Sequence, residues 1–360
     1  MSACAECLRA SLLRAEITSV MESSGAGAVA ARRALEADPD EMLFTLESRG
    51  GAEPAFDELL AALSSECRVW TVCRHDPEFP AGLTGFAREA DIPHVIYGVG
   101  EKRHFDELRE PGGIAIVGAR RATAYGREVA YSLAQGAAGL GLTVISGMAL
   151  GIDGAAHRGS LQGGGPTIAV LAGGPNVAYP RSHRLLHQQL LERGCAISEN
   201  PPGVQARRWA FVARNRIIAA MSRIVVFAEG SAESGARHTV EFATQLDIPV
   251  GAVPGPITSP LSAGPNGLLG AEGVITVRGI DDISQHLQLD RLVFSSGFTD
   301  DPGSLAERVL GLVAAGERTP QALAAAIEGC DPREISRALG ELELKGRVKR
   351  AAGGEYERLL

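Results

Sequence analysis

The sequence predicts an α/β fold built on a doubly wound, mainly parallel sheet, and three observations carry that prediction. Between residues 113 and 285, seven short apolar runs alternate with segments of helical spacing. The runs are nearly continuous in Val, Ile, Ala and Leu, the pattern of strands covered on both faces. Glycine reaches 44 of 360 residues while aromatics make up 5%. That balance favours glycine turns between strands and helices over a β-sandwich.

Residues 1–70 read as a small helical domain, because stretches such as AVAARRALEADPDEMLFTLES are alanine-rich with helical spacing. A turn-rich loop, DPEFPAGLTG, leads to a short strand in IPHVIYGVG. GIAIVG (113–118), LTVIS (142–146), TIAVLAG (167–173) and CAISE (195–199) are strands, separated by helices at 125–140, 152–162 and 181–193. RIVVFAE (223–229), a helix over 237–246, IPVGAVPG (248–255), GVITV and a helix from Asp281 complete a Rossmann-like domain over residues 75–287. Residues 288–303 are polar and turn-rich, a linker. Residues 304–360 show three helices and a hairpin turning at Gly353-Gly354, a winged-helix-like domain. Thr319 and Asp331, each followed by proline, start two of those helices.

No window of about 18 uncharged apolar residues exists, so no transmembrane span is expected. The N-terminus lacks the apolar core of a signal peptide, so a cytoplasmic protein is expected. Six cysteines stand at 4, 7, 67, 73, 195 and 330. Cys4 and Cys7 form a C-x-x-C with no second close cysteine pair, so reduced thiols and no metal are expected.

The net charge of −8 hides a basic centre. Residues 1–110 carry a net of −9 and residues 231–303 a net of −6, whereas residues 304–360 balance. Residues 111–230 hold twelve arginines, no lysine and five acidic groups, a net of +7. A localised basic patch in an acidic chain points to an anionic ligand, and arginine suits planar recognition of phosphate.

Ligands of open α/β sheets sit at the carboxyl ends of the strands, so the strand tips hold the candidate site residues. The first tip reads IVGARRATAYG, where Gly118 allows close backbone approach and Arg120 and Arg121 leave together. It has neither the G-x-G-x-x-G of a dinucleotide site nor the lysine of a P-loop. In SGMALGIDGAAH, the turn of Ser146, Gly147, Gly151 and Asp153 offers backbone N–H groups to a phosphate, with Asp153 a helix cap or an acid–base group. In VAYPRSHRLLH, Tyr179-Pro180 fixes a turn, and His183 and His187 at i, i+4 read as a solvated helix face. RRWAFVARNRIIAAMS (207–222) supplies Arg207, Arg208, Arg214, Asn215 and Arg216, with Trp209 or Phe211 to stack on a base. At helical pitch Arg214 and Arg216 diverge by about 200°, so one faces the crevice and the other braces a loop. Ser234 and Gly235 in EGSAESGARHT form a turn into a helix, with no nucleophile elbow around the serine.

The ordered set VGARRATAYG, SGMALGID, VAYPRSHRLL, SENPPG, FVARNRIIAAMS, ESGARHT, AVPG and GPNGLL resembles the DNA-processing protein A family (DprA, also called Smf) over residues 75–285. The C-terminal LGELELKGRVKRAAGGEY is similar to that family's winged-helix extension, and the N-terminal helices sit where many members carry a sterile-alpha-motif or helix-hairpin-helix-like domain. The resemblance implies a cytosolic, usually dimeric protein without catalytic activity or cofactor. It also implies binding of single-stranded DNA and loading of the recombinase RecA onto it during natural transformation. By position it assigns Arg120, Arg208, Arg214, Asn215 and Arg216 to the family's basic motifs, and Ser146, Gly147, Gly151 and Asp153 to its turns. SGARHT departs from the family pattern, placing Arg237 and His238 where small or apolar residues are usual. The rival class is a Rossmann-like nucleotide phosphoribohydrolase of the lysine-decarboxylase-like kind, in which Glu241 imitates the catalytic acid although the accompanying glycine pair is absent.

Overall fold

The computed structural model describes residues 3–23, 69–110, 112–289, 305–314, 316–317, 319–327, 332–344, 348–350 and 355–358. The chain divides into two compact units, Met1–Val293 and Phe294–Leu360.

The first unit is a nine-stranded sheet in the order β1-β2-β6-β5-β4-β3-β7-β8-β9. Its parallel body comprises β3 (Gly113–Gly118), β4 (Val144–Ser146), β5 (Thr167–Val170), β6 (Cys195–Ser198), β7 (Ser222–Glu229), β8 (Val250–Ala252) and β9 (Val274–Thr276). These are the seven apolar runs read from the sequence. β2 (Val95–Gly100) pairs antiparallel with β6, and β1 (Val69–Cys73) pairs antiparallel with β2. The sequence missed β1, expecting helix up to residue 70 and a loop beyond. VWTVC is five residues long and only half-buried at its start, so it lacks the continuous apolar signal of the central strands.

Helices cover both faces, as a buried parallel sheet requires. On one face α3 (Ala124–Gly139), α4 (Ile152–Gln162) and α10 (Ile280–His286) close over Ile114, Ile116, Val144 and Val226. On the other, α2 (Lys102–Asp106), α7 (Asn215–Ala220) and α8 (Arg237–Gln245) cover Ala115, Val117, Ile168 and Val225. Each fully buried aliphatic contributes roughly 1.5–3 kcal/mol of transfer free energy. α5 (Arg184–Arg193) packs with Met148, Ala169 and Leu171. The short helices α6 (Ala210–Ala213) and α9 (Ala263–Asn266) carry loops at the strand tips.

α1 (Ala5–Ser23) lies against the antiparallel edge, where Cys7 and Leu8 pack on Cys73, Val95 and Tyr97. The Tyr97 hydroxyl donates to Ser11 Oγ at 3.2 Å. The helical stretch expected at 28–48 lies outside the described residues. So does most of the expected linker, 288–303.

The second unit holds α11 (Leu305–Ala314), α12 (Pro320–Ala326), α13 (Pro332–Leu344) and the antiparallel pair β10 (Val348–Arg350) and β11 (Tyr356–Arg358) around Val309, Leu310, Leu323, Ile335, Leu339 and Leu342. Thr319 caps α12, accepting from the Ala322 N–H at 3.2 Å. Asp331 and the Gly353-Gly354 turn lie outside the described residues.

Candidate nucleic-acid interface

After β3 the chain steps outward through β4, β5 and β6, then returns to place β7 on the other side of β3. That reversal opens a crevice at the strand tips, the general ligand position of doubly wound sheets. Here it is a cleft of about 580 Å³. Gly118 ends β3 in its wall, and Arg120 and Arg121 follow directly. From the facing side, the loop before α6 brings Arg208, and α6 itself brings Phe211.

The Arg120 guanidinium lies over the Phe211 ring, 4.7 Å from its centroid, and Phe211 in turn meets Tyr179 at 5.1 Å and 48°. Arg120, Arg121 and Arg208 are exposed. None of the hydrogen bonds or ion pairs among the described residues engages them. A guanidinium stacked on a ring still has its N–H edge available for a phosphate in its own plane. The cleft thus combines three cations with a two-ring apolar platform.

The floor is different. Arg214 is 5% exposed, and its guanidinium donates to the carbonyls of Gly147, at 2.8 Å, and Val170, and to Asn215 Oδ1 at 3.1 Å. Asp153 lies beside it, accepting from the N–H groups of Gly147 (3.1 Å) and Ala149 (3.4 Å). Burial disfavours both charged forms. It pushes the Asp153 carboxyl up against the pull of Arg214, and brings Arg214 down to about 10, still charged at neutral pH. Asn215 is also buried, and its amide donates to the Gly235 carbonyl at 3.2 Å.

This floor corrects several expectations. Ser146, Gly147 and Gly151 were expected to cradle a phosphate, but an internal carboxylate already occupies two of the turn's N–H donors. Ser146 is fully buried, and its hydroxyl donates to the Ile116 carbonyl at 2.7 Å. A Cβ at Gly147 would stand 2.0 Å from an Arg214 nitrogen. Gly151 has φ +77°, and a Cβ there would lie 2.2 Å from the Ala119 carbonyl oxygen. Arg214, expected to meet the ligand, does line the cleft, but it is buried in the floor and holds it together.

Arg216 turns the other way. It forms a two-pronged ion pair with Glu199, at 2.8 and 2.6 Å, and donates to the carbonyls of Asp91 and Ala213. Burial works against the Glu199 carboxylate, yet Arg216 with Arg14 holds its pKa below the ordinary value. Trp209 lines a separate cavity of about 200 Å³ with Arg14, His94 and Glu199. Arg207 is half-buried and outside the cleft lining. Ser234 and Gly235 line the cleft rim.

His183 and His187 are each 5% exposed, not solvated as expected. His183 Nδ1 pairs with the Met148 carbonyl at 2.9 Å and His187 Nε2 with the Pro175 carbonyl at 3.0 Å. Burial lowers both pKa values, which favours the neutral rings. Glu241 stands on α8 outside the cleft lining, paired with Arg237 (3.2 Å) and His238 (3.1 Å). Glu229, at the end of β7, accepts from both the N–H and the hydroxyl of Thr123, at 2.7 and 2.6 Å, fastening the start of α3.

Two features escaped the sequence. Tyr179 was read only as part of a turn, yet it stacks on Phe211 in the cleft wall. Cys73 and His75 come beside Cys4 and Cys7, and their ligand atoms all lie within 4.8 Å of one another. In the sequence Cys73 and His75 form a C-x-H, not a second C-x-x-C.

Known proteins agree with this architecture. The family described as DNA recombination-mediator protein A matches residues 70–288, and the DprA winged helix domain matches residues 299–354. A putative DNA processing protein DprA of Mycobacterium tuberculosis is 46% identical over 191 residues, covering 53% of this chain and 48% of that protein. The chain therefore spans about half the length of that relative. Protein Smf of Escherichia coli is 35% identical over 277 residues, covering 75% of this chain and 72% of its own. The crystal structure of DprA from Streptococcus pneumoniae is similar with a TM-score of 0.59 and 27% identity, over 79% of this chain and 98% of that one. The Helicobacter pylori DprA structure, described in terms of its single-stranded DNA binding mode, gives a TM-score of 0.54 at 25% identity, over 62% and 97% of the two chains. No helix among the described residues is long and apolar enough to cross a membrane.

Proposed function

Because the chain belongs to the DNA recombination-mediator protein A (DprA/Smf) family, we propose that it binds single-stranded DNA in the cleft at the tips of β3 and β7, with little preference for base sequence. One observation carries the proposal: Arg120, Arg121 and Arg208, exposed and outside the ion pairs of the described residues, surround the Phe211–Tyr179 platform. The arginines meet successive phosphates, and an unpaired base stacks on the rings. Every base has a π-face, so such stacking is worth about 1–3 kcal/mol per base without discriminating among them. A duplex keeps its bases inside the helix and gains only the phosphate contacts.

The protein acts by binding and not by catalysis. In support, the Asp153 carboxylate is held by two backbone N–H groups, and Glu241 is paired on an exposed helix face outside the cleft. We extend the proposal, on family grounds, to a cytoplasmic homodimer that delivers RecA to incoming strands during natural transformation and recombination.

The test is competition between oligo-dT, mixed-sequence single strands and duplex, read by fluorescence anisotropy, beside an assay for base release from AMP. Single strands of any sequence outcompete duplex and no adenine appears. Tighter duplex binding, or turnover of AMP, overturns the proposal.

A further inference from the structure

Four ligand-type side chains from three chain segments meet at the foot of α1. Cys4 immediately precedes the helix and Cys7 lies in its first turn, so both thiols face the same side. Cys73 ends β1, and His75 follows two residues later. Their Sγ and Nδ1 atoms all lie within 4.8 Å of one another, with His75 Nδ1 at 3.6 Å from Cys4 Sγ and 3.5 Å from Cys7 Sγ. We propose that Cys4, Cys7, Cys73 and His75 form a structural zinc site that fastens the start of α1 to the edge of the sheet.

The geometry suits that ion. Zinc sits about 2.3 Å from thiolate sulfur and about 2.0–2.1 Å from imidazole nitrogen, so tetrahedral ligation places sulfur and nitrogen about 3.6 Å apart. Both measured sulfur–nitrogen distances fall on that edge length. Three sulfurs and one nitrogen make a closed, soft donor set that selects zinc over oxygen-seeking cations. The Cys4 N–H points at Cys73 Sγ, 3.5 Å away, a donor of the kind that supports a ligating sulfur.

Packing alone does not account for the arrangement. Cys7 and Cys73 are buried beside Leu8, Val95 and Tyr97, as ordinary apolar cysteines are. His75, however, is exposed on the surface turn and directs a ring nitrogen inward at both Cys4 and Cys7. A surface ring turned back towards two thiols, with a third in a group no wider than 4.8 Å, is the arrangement of a metal ligand. The cluster joins residues 69 positions apart, so a bond there closes a long loop and constrains the unfolded chain. It shares no residue with the cleft.

The experiment uses the full chain, purified from zinc-supplemented medium and desalted. Elemental mass spectrometry yields one zinc per chain, and replacement by cobalt produces thiolate charge-transfer absorption with tetrahedral d–d bands. His75→Ala binds zinc at least about tenfold more weakly in competition with a chromogenic chelator, whereas His75→Cys retains the metal and shifts the cobalt bands towards an all-thiolate spectrum. The His75→Cys arm and circular dichroism separate loss of a ligand from loss of fold. The proposal is overturned if wild type carries no stoichiometric zinc, if any two of Cys4, Cys7 and Cys73 are found joined in a disulfide, or if Cys73→Ser and His75→Ala hold zinc as tightly as wild type.

Discussion

Arg208 and Arg214 stand six residues apart and have opposite fates. Arg208 is exposed at the cleft wall, while Arg214 is buried against Asp153 and three oxygen acceptors. A charge-assisted phosphate contact is worth about 1.5–3 kcal/mol, so Arg208→Ala weakens single-strand binding by about one to two orders of magnitude at an unchanged melting temperature. Arg214→Ala leaves the Asp153 carboxylate buried without its cation and costs about 3–5 kcal/mol of stability, measured by urea unfolding. An early-melting Arg208→Ala, or an Arg214→Ala with the wild-type midpoint, contradicts this division. The sequence shows that arginines gather here, because all twelve cations of residues 111–230 are arginine. It does not show depth. Helical pitch separates Arg214 from Arg216, yet both turn inward, each to its own acidic partner, which spacing alone cannot reveal. The same limit hid the internal anion at Asp153, since a glycine turn that cradles phosphate and one that cradles a carboxylate read alike.

Apolar runs between helices made the parallel strands legible, even at β9, where no residue is fully buried. Strand β3 coincides with the apolar run at 113–118, and α4 with the expected 152–162. β1 was missed because an edge strand covered by a helix has no periodic signature in five residues. Buried polar wiring was also unreadable. His157 on α4 accepts from the Met148 N–H at 3.3 Å and pairs with Thr167 Oγ1 at 2.7 Å, tying the helix to the β4 turn and to β5. Burial pushes its pKa down to about 3. The unfolded imidazole titrates near 6.5, so between about pH 4 and 6 the unfolded chain binds one more proton at this site than the folded chain. Stability therefore falls as pH falls through that window, by about 1.4 kcal/mol per pH unit from this group. His157→Gln removes that component, and urea midpoints across the window have a correspondingly shallower slope. An unchanged slope contradicts a neutral buried His157.

Across the whole molecule, charge is partitioned by function. The acidic flanks repel nucleic acid, and the one basic region folds so that three of its exposed arginines, Arg120, Arg121 and Arg208, line the cleft. The C-terminal residues 304–360 are balanced in charge, which gives the winged helix little electrostatic attraction for a strand. Truncation after residue 300 is expected to leave single-strand affinity within about tenfold, 1.4 kcal/mol, of the full chain by anisotropy. A larger loss places the winged helix in the binding surface.

The most direct test of the central claim is the salt dependence of oligo-dT binding by wild type and by the Arg120→Ala/Arg208→Ala double variant. Each neutralised phosphate on a single strand contributes about −0.7 to the slope of log affinity against log salt. If both arginines hold phosphates in the cleft, the double variant stays folded, loses most of its affinity, and its slope flattens by about 1.4, two contacts' worth. A folded double variant with wild-type affinity and an unchanged slope contradicts the cleft as the binding site.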